Sequence, residues 1–454
     1  MFSEVKKCLV LAVPLAAAQL AQSATAFVDT VMMGWLGSQT IASGGLGAVI
    51  FNFCLLIANG IVSAVSPLAA QAYGAGNTEK VGTIVRLGLG ISLILGMPIT
   101  LLLYNAGALL LLLGQDANTV ALAEIYLRAI AWGFIPGLGF GVLKSFLSAL
   151  LRPQLIMVTV VLGTLLNITA NYVLMFGKLG FPALGLAGIG WASTLSLWAM
   201  FIALTVYVCN QREFAVYGIF RPLSNEAFSV EYRRIIGEIF HIGLPIGGLI
   251  AVEAGLFTVV TFLIGQLGTN ALAAHQIALQ TISISFQIAL GISLATTVRV
   301  GQLAGQDDLI ATRRAGYVGI AIAGLSMGVA GILFWLAPKS IISLYIDTSN
   351  QNNADVVALA VKLLGVAAIF QIVDGVQVTA AGALRGLKDT RIPMLIGIFA
   401  YWCVGLLTGY GFGIWSGYGA IGLWWGLAIG LAIAAIILTW RFSTKKTKSF
   451  IEIS

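Results

Sequence analysis

Residues 8–35 read CLVLAVPLAAAQLAQSATAFVDTVMMGW, a run long enough to span a membrane that holds one charged side chain, Asp29. A helix of about 20 apolar residues crosses a bilayer. A charge at its centre costs about 2.5–3.5 kcal/mol on insertion, so it is kept mainly where it has a function. Glu253 and Asp374 also lie inside long apolar runs, and no Lys or Arg is predicted at a comparable depth. Acidic groups at membrane depth attract cations and protons, so the pattern predicts a cation transporter.

The rest of the chain repeats this composition. Of 454 residues, 59% are hydrophobic and 9% charged, and the mean hydropathy is +0.99. The first run continues past Asp29 without a small-residue cleavage site, so we interpret it as a retained span and not a signal peptide. Eleven further apolar runs lie at roughly 44–72, 82–105, 121–148, 154–177, 186–209, 236–265, 270–303, 314–337, 354–384, 392–413 and 418–441. The sequence predicts an all-α membrane protein with twelve transmembrane helices.

The basic residues indicate the orientation. With twelve spans both termini lie on one side, and 20 of the 24 Lys and Arg residues fall on that side. The exceptions are Arg128, Lys178, Lys339 and Lys362. The positive-inside rule then predicts a multi-pass protein of the inner (plasma) membrane with cytoplasmic termini. This asymmetry accounts for the net charge of +7 without a nucleic-acid partner.

The two halves of the chain resemble each other at a nearly constant offset. A shift of 231 residues places Pro14 on Pro245, and Met33–Gly37 on Ile264–Gly268. We therefore predict two pseudo-symmetric six-helix lobes, 1–209 and 236–454, the second with a short basic tail. A cytoplasmic linker, 210–235, joins them, and the substrate cavity is expected between the lobes. Pro14 and Pro245 are candidate helix bends, or tolerated kinks without a switching role.

Signals for catalysis are missing from the sequence. HExxH, GxSxG and GxxxxGK[ST] do not occur, and the four cysteines show neither CxxC spacing nor a disulfide framework. We predict that the chain is not an enzyme and has no cofactor beyond a coupling ion.

Several motifs together resemble the multidrug and toxic compound extrusion (MATE) family, in its bacterial branch described as sodium-coupled. They are Pro14 with Phe27–Met32, Glu253, Ala273–Gln276, and Asp374 with Gly382–Gly386. The resemblance covers nearly the whole chain. It implies two six-helix bundles and antiport of organic cations against Na⁺ or H⁺.

The resemblance places a cation site in the first lobe at Asp29, Asn167, Asn171 and Thr194. Asn167 and Asn171 are four apart and share a helix face. Some relatives carry a second Asp where this chain has Asn171, which leaves one carboxylate and weakens the case for tight Na⁺ binding. The alternative is a polar cluster that only holds helices together.

A second candidate site in the other lobe contains Glu253 and Asp374, with Na⁺ as the expected ion because hard cations prefer oxygen ligands. Two carboxylates in one apolar site repel each other, so protons can compete. Related transporters place a Tyr one turn before the Asp, whereas this chain has Phe370, which removes an oxygen. The alternative is a structural pair with one member protonated.

Aromatic and sulfur side chains suit a pocket for varied apolar cations. The candidate cavity residues are Met32, Met33, Trp35, Phe51, Phe53, Tyr73, His275, Gln276 and Phe370. A lone His such as His275 is more often a packing residue than a proton carrier.

The predicted function is secondary active efflux of cationic or amphipathic compounds by a monomer in the lipid bilayer. A lipid or lipid-linked oligosaccharide flippase is the main alternative, but phosphates would favour Arg or Lys at mid-depth. A channel or receptor would not need two acidic sites in two related lobes.

Overall fold

The computed structural model describes residues 2–112, 114–221 and 230–445. Within these ranges there is no strand, and twelve helices are long and apolar enough to cross a membrane. They are α1 Ser3–Trp35, α2 Gln39–Gly74, α3 Thr78–Tyr104, α4 Ala117–Ala149, α5 Pro153–Phe176, α6 Leu186–Asn210, α7 Val230–Gln266, α8 Thr269–Gly305, α9 Leu309–Leu336, α10 Gln351–Gly386, α11 Arg391–Trp415 and α12 Gly419–Thr444. The predicted class and the twelve spans are confirmed. Part of the predicted linker, 222–229, and the basic tail from 446 lie outside the described residues.

Turns at matching positions of the two halves have matching geometry. Gly37 before α2 has φ 119°, and Gly268 before α8 has φ 117°; a side chain would be strained at either, which explains the glycines. Asn77 caps α3 by accepting a hydrogen bond from Lys80 N, and Asp308 caps α9 by accepting one from Ala311 N. Both pairs are 231 positions apart, the offset of the sequence repeat.

Several of the long helices are irregular. Ser63 and Ala64 separate two segments of α2, Ser38–Val62 and Val65–Gly74. A 3₁₀ turn at Ala131–Gly133 interrupts α4. Helix α11 contains π-helical segments, Phe399–Leu406 and Gly411–Trp415. Such π segments are uncommon and frequently occur at functional sites, and the first of them carries Tyr401.

Contacts divide the chain into two compact units. The first unit is Leu20–Gly247, and the second unit contains the residues up to Gln19 and from Gly248 onward. Helices α1 and α7 therefore each contribute to both units. The predicted lobes 1–209 and 236–454 follow the sequence repeat and stay a prediction.

In the second unit, a nearly buried ion pair attaches the start of α1 to α8. Arg299 Nη2 lies 2.8 Å from Glu4 Oε1, and Arg299 Nη1 donates to Gln302 Oε1 at 3.1 Å. Because water is largely excluded, losing one partner would leave an uncompensated charge. The core of this unit includes the fully buried side chains of Phe370, Tyr401 and Trp424.

Candidate functional site

The carboxylate of Asp29 lies in a hydrogen-bond network that joins α1, α5 and α6. Asn171 Nδ2 donates to Asp29 Oδ1 at 2.5 Å, and Ser193 Oγ donates to Asp29 Oδ2 at 3.2 Å. Asn171 is fully buried. Both donors are neutral, so they stabilise the carboxylate without cancelling its charge. This arrangement can bind a cation or a proton.

Asn167 completes the network one turn before Asn171 on α5. Its Oδ1 accepts a hydrogen bond from Asn171 Nδ2 at 3.1 Å, and its Nδ2 donates to Ser193 Oγ at 3.2 Å. The structure therefore brings together three of the four residues that the sequence places in this site. Asn167 thus bonds to both Asn171 and Ser193, the two residues that donate to the Asp29 carboxylate.

Thr194, the fourth predicted member, does not join the network. Its hydroxyl donates to Ala129 O on α4 at 2.8 Å, and it ties two helices together. Ser193 takes its place because successive residues of a helix point about 100° apart. The sequence contains two adjacent hydroxyls here, and only helix packing distinguishes them.

A cavity of about 510 Å³ lies beside this network within the first unit. Asp29, Asn167 and Ser193 are on its wall, together with Met33 and Phe51 from the predicted set. Side chains from α1, α2, α4, α5 and α6 line it. The mixture of one carboxylate, several amides and apolar surface is typical of a pocket for an amphipathic cation.

The other predicted cavity residues lie elsewhere. Met32 is buried without lining this cavity, and Trp35, Phe53 and Tyr73 are exposed side chains outside it. Trp35 stacks on Phe176, with ring centroids 6.4 Å apart. The sequence could not separate these residues from Met33 and Phe51, because an aromatic or sulfur side chain in an apolar helix also suits lipid or core.

Glu253 on α7 and Asp374 on α10 form the second candidate site, in the second unit. Their carboxylates interact electrostatically with each other. Asp374 is 5% exposed, and its Oδ1 is buried without a hydrogen-bond partner. Gln371 and Gln377, each three residues away on α10, also have an unpaired buried polar atom, Nε2 and Oε1 respectively. Buried polar atoms are rarely unpaired, so their clustering is consistent with an ion or water here.

Tyr401 of α11 lies near the same site and was not predicted from the sequence. Its phenol lies in the neighbourhood of both carboxylates, and its hydroxyl is buried without a partner. Phe370 contributes no oxygen, and its ring packs between Phe257 and Trp424. Tyr401 can therefore supply the oxygen that Phe370 lacks. It lies in the segment FAYWCVGL, where nothing in the sequence points to a partner on α7 or α10.

His275 of α8 is a packing residue with both ring nitrogens occupied. Trp424 Nε1 donates to His275 Nδ1 at 3.1 Å, and His275 Nε2 lies 2.9 Å from Thr261 Oγ1. An indole N–H only donates, so Nδ1 must be the acceptor and the proton of the neutral ring is on Nε2. Its neighbour Gln276 is exposed. His275, Gln276 and Phe370 all belong to the second unit, and none of them lines the cavity described above.

Two further expectations concern the prolines and metal ligands. Helices α1 and α7 continue through Pro14 and Pro245, and the bending role stays a prediction. Among the described residues, no group of three or more His, Cys, Asp and Glu could hold a metal ion. A Na⁺ at Glu253 and Asp374 would need neutral oxygens such as Tyr401 Oη to complete its shell.

Twelve membrane-length helices with acidic side chains inside their apolar segments define a polytopic membrane protein of the transporter class. The chain matches the MatE family over residues 14–173 and 245–410, and it belongs to that family. The two matched ranges begin 231 residues apart, at the same offset as the repeat.

Relatives and solved structures agree with this assignment. A protein named probable multidrug resistance protein NorM from Synechococcus sp. is 44% identical over 444 residues, 97% of this chain and 94% of that protein. A protein of the same name from Pseudomonas aeruginosa is 43% identical over 445 residues, 98% of this chain and 90% of that protein. The outward-facing structure of a multidrug resistance MATE family transporter of the MOP superfamily has a TM-score of 0.86 at 22% identity, covering 97% of this chain and 95% of that chain. At that identity the structure shows a shared fold.

Proposed function

We propose that this chain is a multidrug efflux transporter that exports cationic or amphipathic compounds in exchange for Na⁺ or H⁺. The observation that carries the proposal is the Asp29 carboxylate, held by neutral donors on the wall of a cavity of about 510 Å³. An organic cation can place its charge against Asp29 and its apolar body against Met33 and Phe51. The names of the NorM relatives support the same function.

The coupling ion binds at the second site in this proposal. Glu253 and Asp374 repel each other when both are ionised, and binding Na⁺ or a proton relieves that repulsion. The ion need not meet the exported compound. It needs only to favour a different conformational state, because a ligand shifts an equilibrium by its difference in affinity between two states.

A flippase for phosphate-bearing lipids is the less favoured function. Its substrate would be expected to meet Arg or Lys, whereas no basic side chain lines the described cavity. On the basis of the Lys and Arg distribution we place the transporter in the inner (plasma) membrane with cytoplasmic termini. We propose that it acts as a monomer.

Uptake of ethidium into everted membrane vesicles tests the proposal. We expect uptake under a Na⁺ gradient or a pH gradient imposed separately, and the more effective gradient identifies the coupling ion. Asp29→Asn should abolish uptake under either gradient at normal membrane levels of the protein. Movement of a lipid-linked sugar precursor without any ethidium uptake would support the flippase instead.

A further inference from the structure

The cavity of the first unit contains one formal charge. Of the residues on its wall, Asp29 is the only one of the Asp, Glu, Lys and Arg types. The other polar groups there are amides and hydroxyls, including Gln22, Asn52, Asn59 and Thr164. Amides can solvate a cation through their oxygens, but they add no charge.

The network around Asp29 keeps that charge at one unit. Its two donors, Asn171 and Ser193, are neutral, and Asn171 occupies the place beside Asp29 where a carboxylate of the same shape would add a second charge. No ion pair reduces the charge from within the cavity wall, and no second acid increases it.

We infer that this cavity selects organic cations with a single positive charge over doubly charged cations of the same size. The inference rests on the proposed function and specifies the substrate class of the same site. One cation balances Asp29 and leaves the occupied cavity neutral. A dication leaves one positive charge unbalanced beside the apolar part of the cavity wall, where an unpaired charge is unfavourable.

Asn52 shows where this selectivity can be changed. It lies on α2, on the cavity wall but outside the hydrogen-bond network of Asp29, and its side chain is exposed to the cavity. Asn52→Asp keeps the shape of the side chain and adds a second negative charge on a helix other than α1, α5 and α6. A dication would then be balanced in full.

The experiment compares two ions that differ by one methyl group and one charge, N-methyl- and N,N′-dimethyl-4,4′-bipyridinium. Their uptake is measured in everted vesicles that contain the full-length chain, with ethidium as the reference compound. For the wild type we expect kcat/KM for the monocation to exceed that for the dication by about tenfold or more. Asn52→Asp should reduce that ratio to about threefold or less by increasing dication uptake.

Asn270→Asp is the matched control. It adds the same charge at an exposed position in the first turn of α8, outside the cavity, and should keep the wild-type ratio. Should Asn52→Asp fail to reach the membrane, Asn171→Asp makes the same test beside Asp29.

The outcomes separate this inference from the proposed function. Equal kcat/KM for both bipyridinium ions in the wild type would overturn the inference while leaving drug export intact. An unchanged ratio in an Asn52→Asp variant that still exports the monocation would also overturn it. No uptake of any of the three probes by wild type would contradict the proposed function, and the inference with it.

Discussion

Ser193 and Thr194 are adjacent on α6, but only one of their hydroxyls donates a hydrogen bond to the Asp29 carboxylate. Ser193 Oγ donates to Asp29, whereas Thr194 Oγ1 donates to Ala129 O. Ser193→Ala removes a donor that stabilises the ionised carboxylate, so protons compete better with the exported cation. A hydrogen bond to a charged group contributes about 1.5–3 kcal/mol. We expect the apparent affinity for ethidium in everted vesicles to fall about tenfold or more, with the larger loss at lower pH.

Thr194→Val is the control for that prediction, because it removes the neighbouring hydroxyl without touching Asp29. It should keep the ethidium affinity within about twofold and affect only stability, by about 1 kcal/mol. A larger loss of affinity in Thr194→Val than in Ser193→Ala would restore the sequence-based assignment of Thr194 to the site.

Tyr401 provides a second residue-scale prediction. Its phenol lies in the neighbourhood of Glu253 and Asp374, and its hydroxyl is buried without a partner. Tyr401→Phe removes the hydroxyl and keeps the ring, so the core packing is retained. If Na⁺ is the coupling ion, its half-saturating concentration for ethidium uptake should rise about threefold or more, since one oxygen ligand is lost. Tyr410→Phe, the same change at a half-exposed position of α11, should leave it unchanged, and an equal effect in both variants would remove Tyr401 from the site.

The sequence predicts a site residue when the signal lies within one helix, and fails when the residue joins the site only through contacts with other helices. Asp29, Glu253 and Asp374 are conspicuous because they interrupt apolar runs, and Asn167 and Asn171 share a face at a spacing of four. Ser193 and Tyr401 join their sites only through packing between helices that are distant in sequence. The pattern of apolar residues in a helix does not indicate which other helix it contacts. Ser193 and Tyr401 are therefore recognised only in the structure.

At the scale of elements, a buried contact among α7, α8 and α12 gives His275, one of the candidate cavity residues, a structural role. His275 accepts a hydrogen bond from Trp424 and contacts Thr261. Trp424→Phe would leave His275 Nδ1 buried without a donor. We expect a loss of about 1–3 kcal/mol in stability, seen as a lower thermal midpoint in detergent, with ethidium uptake per folded molecule retained.

Trp425→Phe supplies the comparison, since its side chain is 39% exposed, and it should lower the midpoint less. A loss of pH-driven uptake in Trp424→Phe at an unchanged thermal midpoint would indicate instead that His275 carries protons. The fixed tautomer argues for the structural outcome, because a proton on Nδ1 would break the contact with Trp424.

At the scale of the whole molecule, the repeat is the most predictable feature. The 231-residue offset recurs in the turns at Gly37 and Gly268, in the caps at Asn77 and Asp308, and in the two ranges that match the MatE family. Turns are local, so sequence similarity transfers to them directly. The residues up to Gln19 group with the second half of the chain. This grouping depends on contacts between residues far apart in sequence, so the repeat alone did not predict it.

The orientation of the twelve spans gives the last prediction. The connection between α3 and α4 contains Gln115, and the connection between α8 and α9 contains Gln306; both side chains are exposed. An odd number of candidate spans precedes the first and an even number the second. We therefore expect the two residues on opposite sides of the membrane. Because basic residues mark the cytoplasmic side, Gln115→Cys should react with an impermeant maleimide on intact cells, in a background where Cys8, Cys54, Cys209 and Cys403 are replaced. Gln306→Cys should react only after permeabilisation. The number of spans between the two positions is odd, so labelling of both variants on intact cells would refute the span count. Labelling of Gln306→Cys alone would show the reverse orientation.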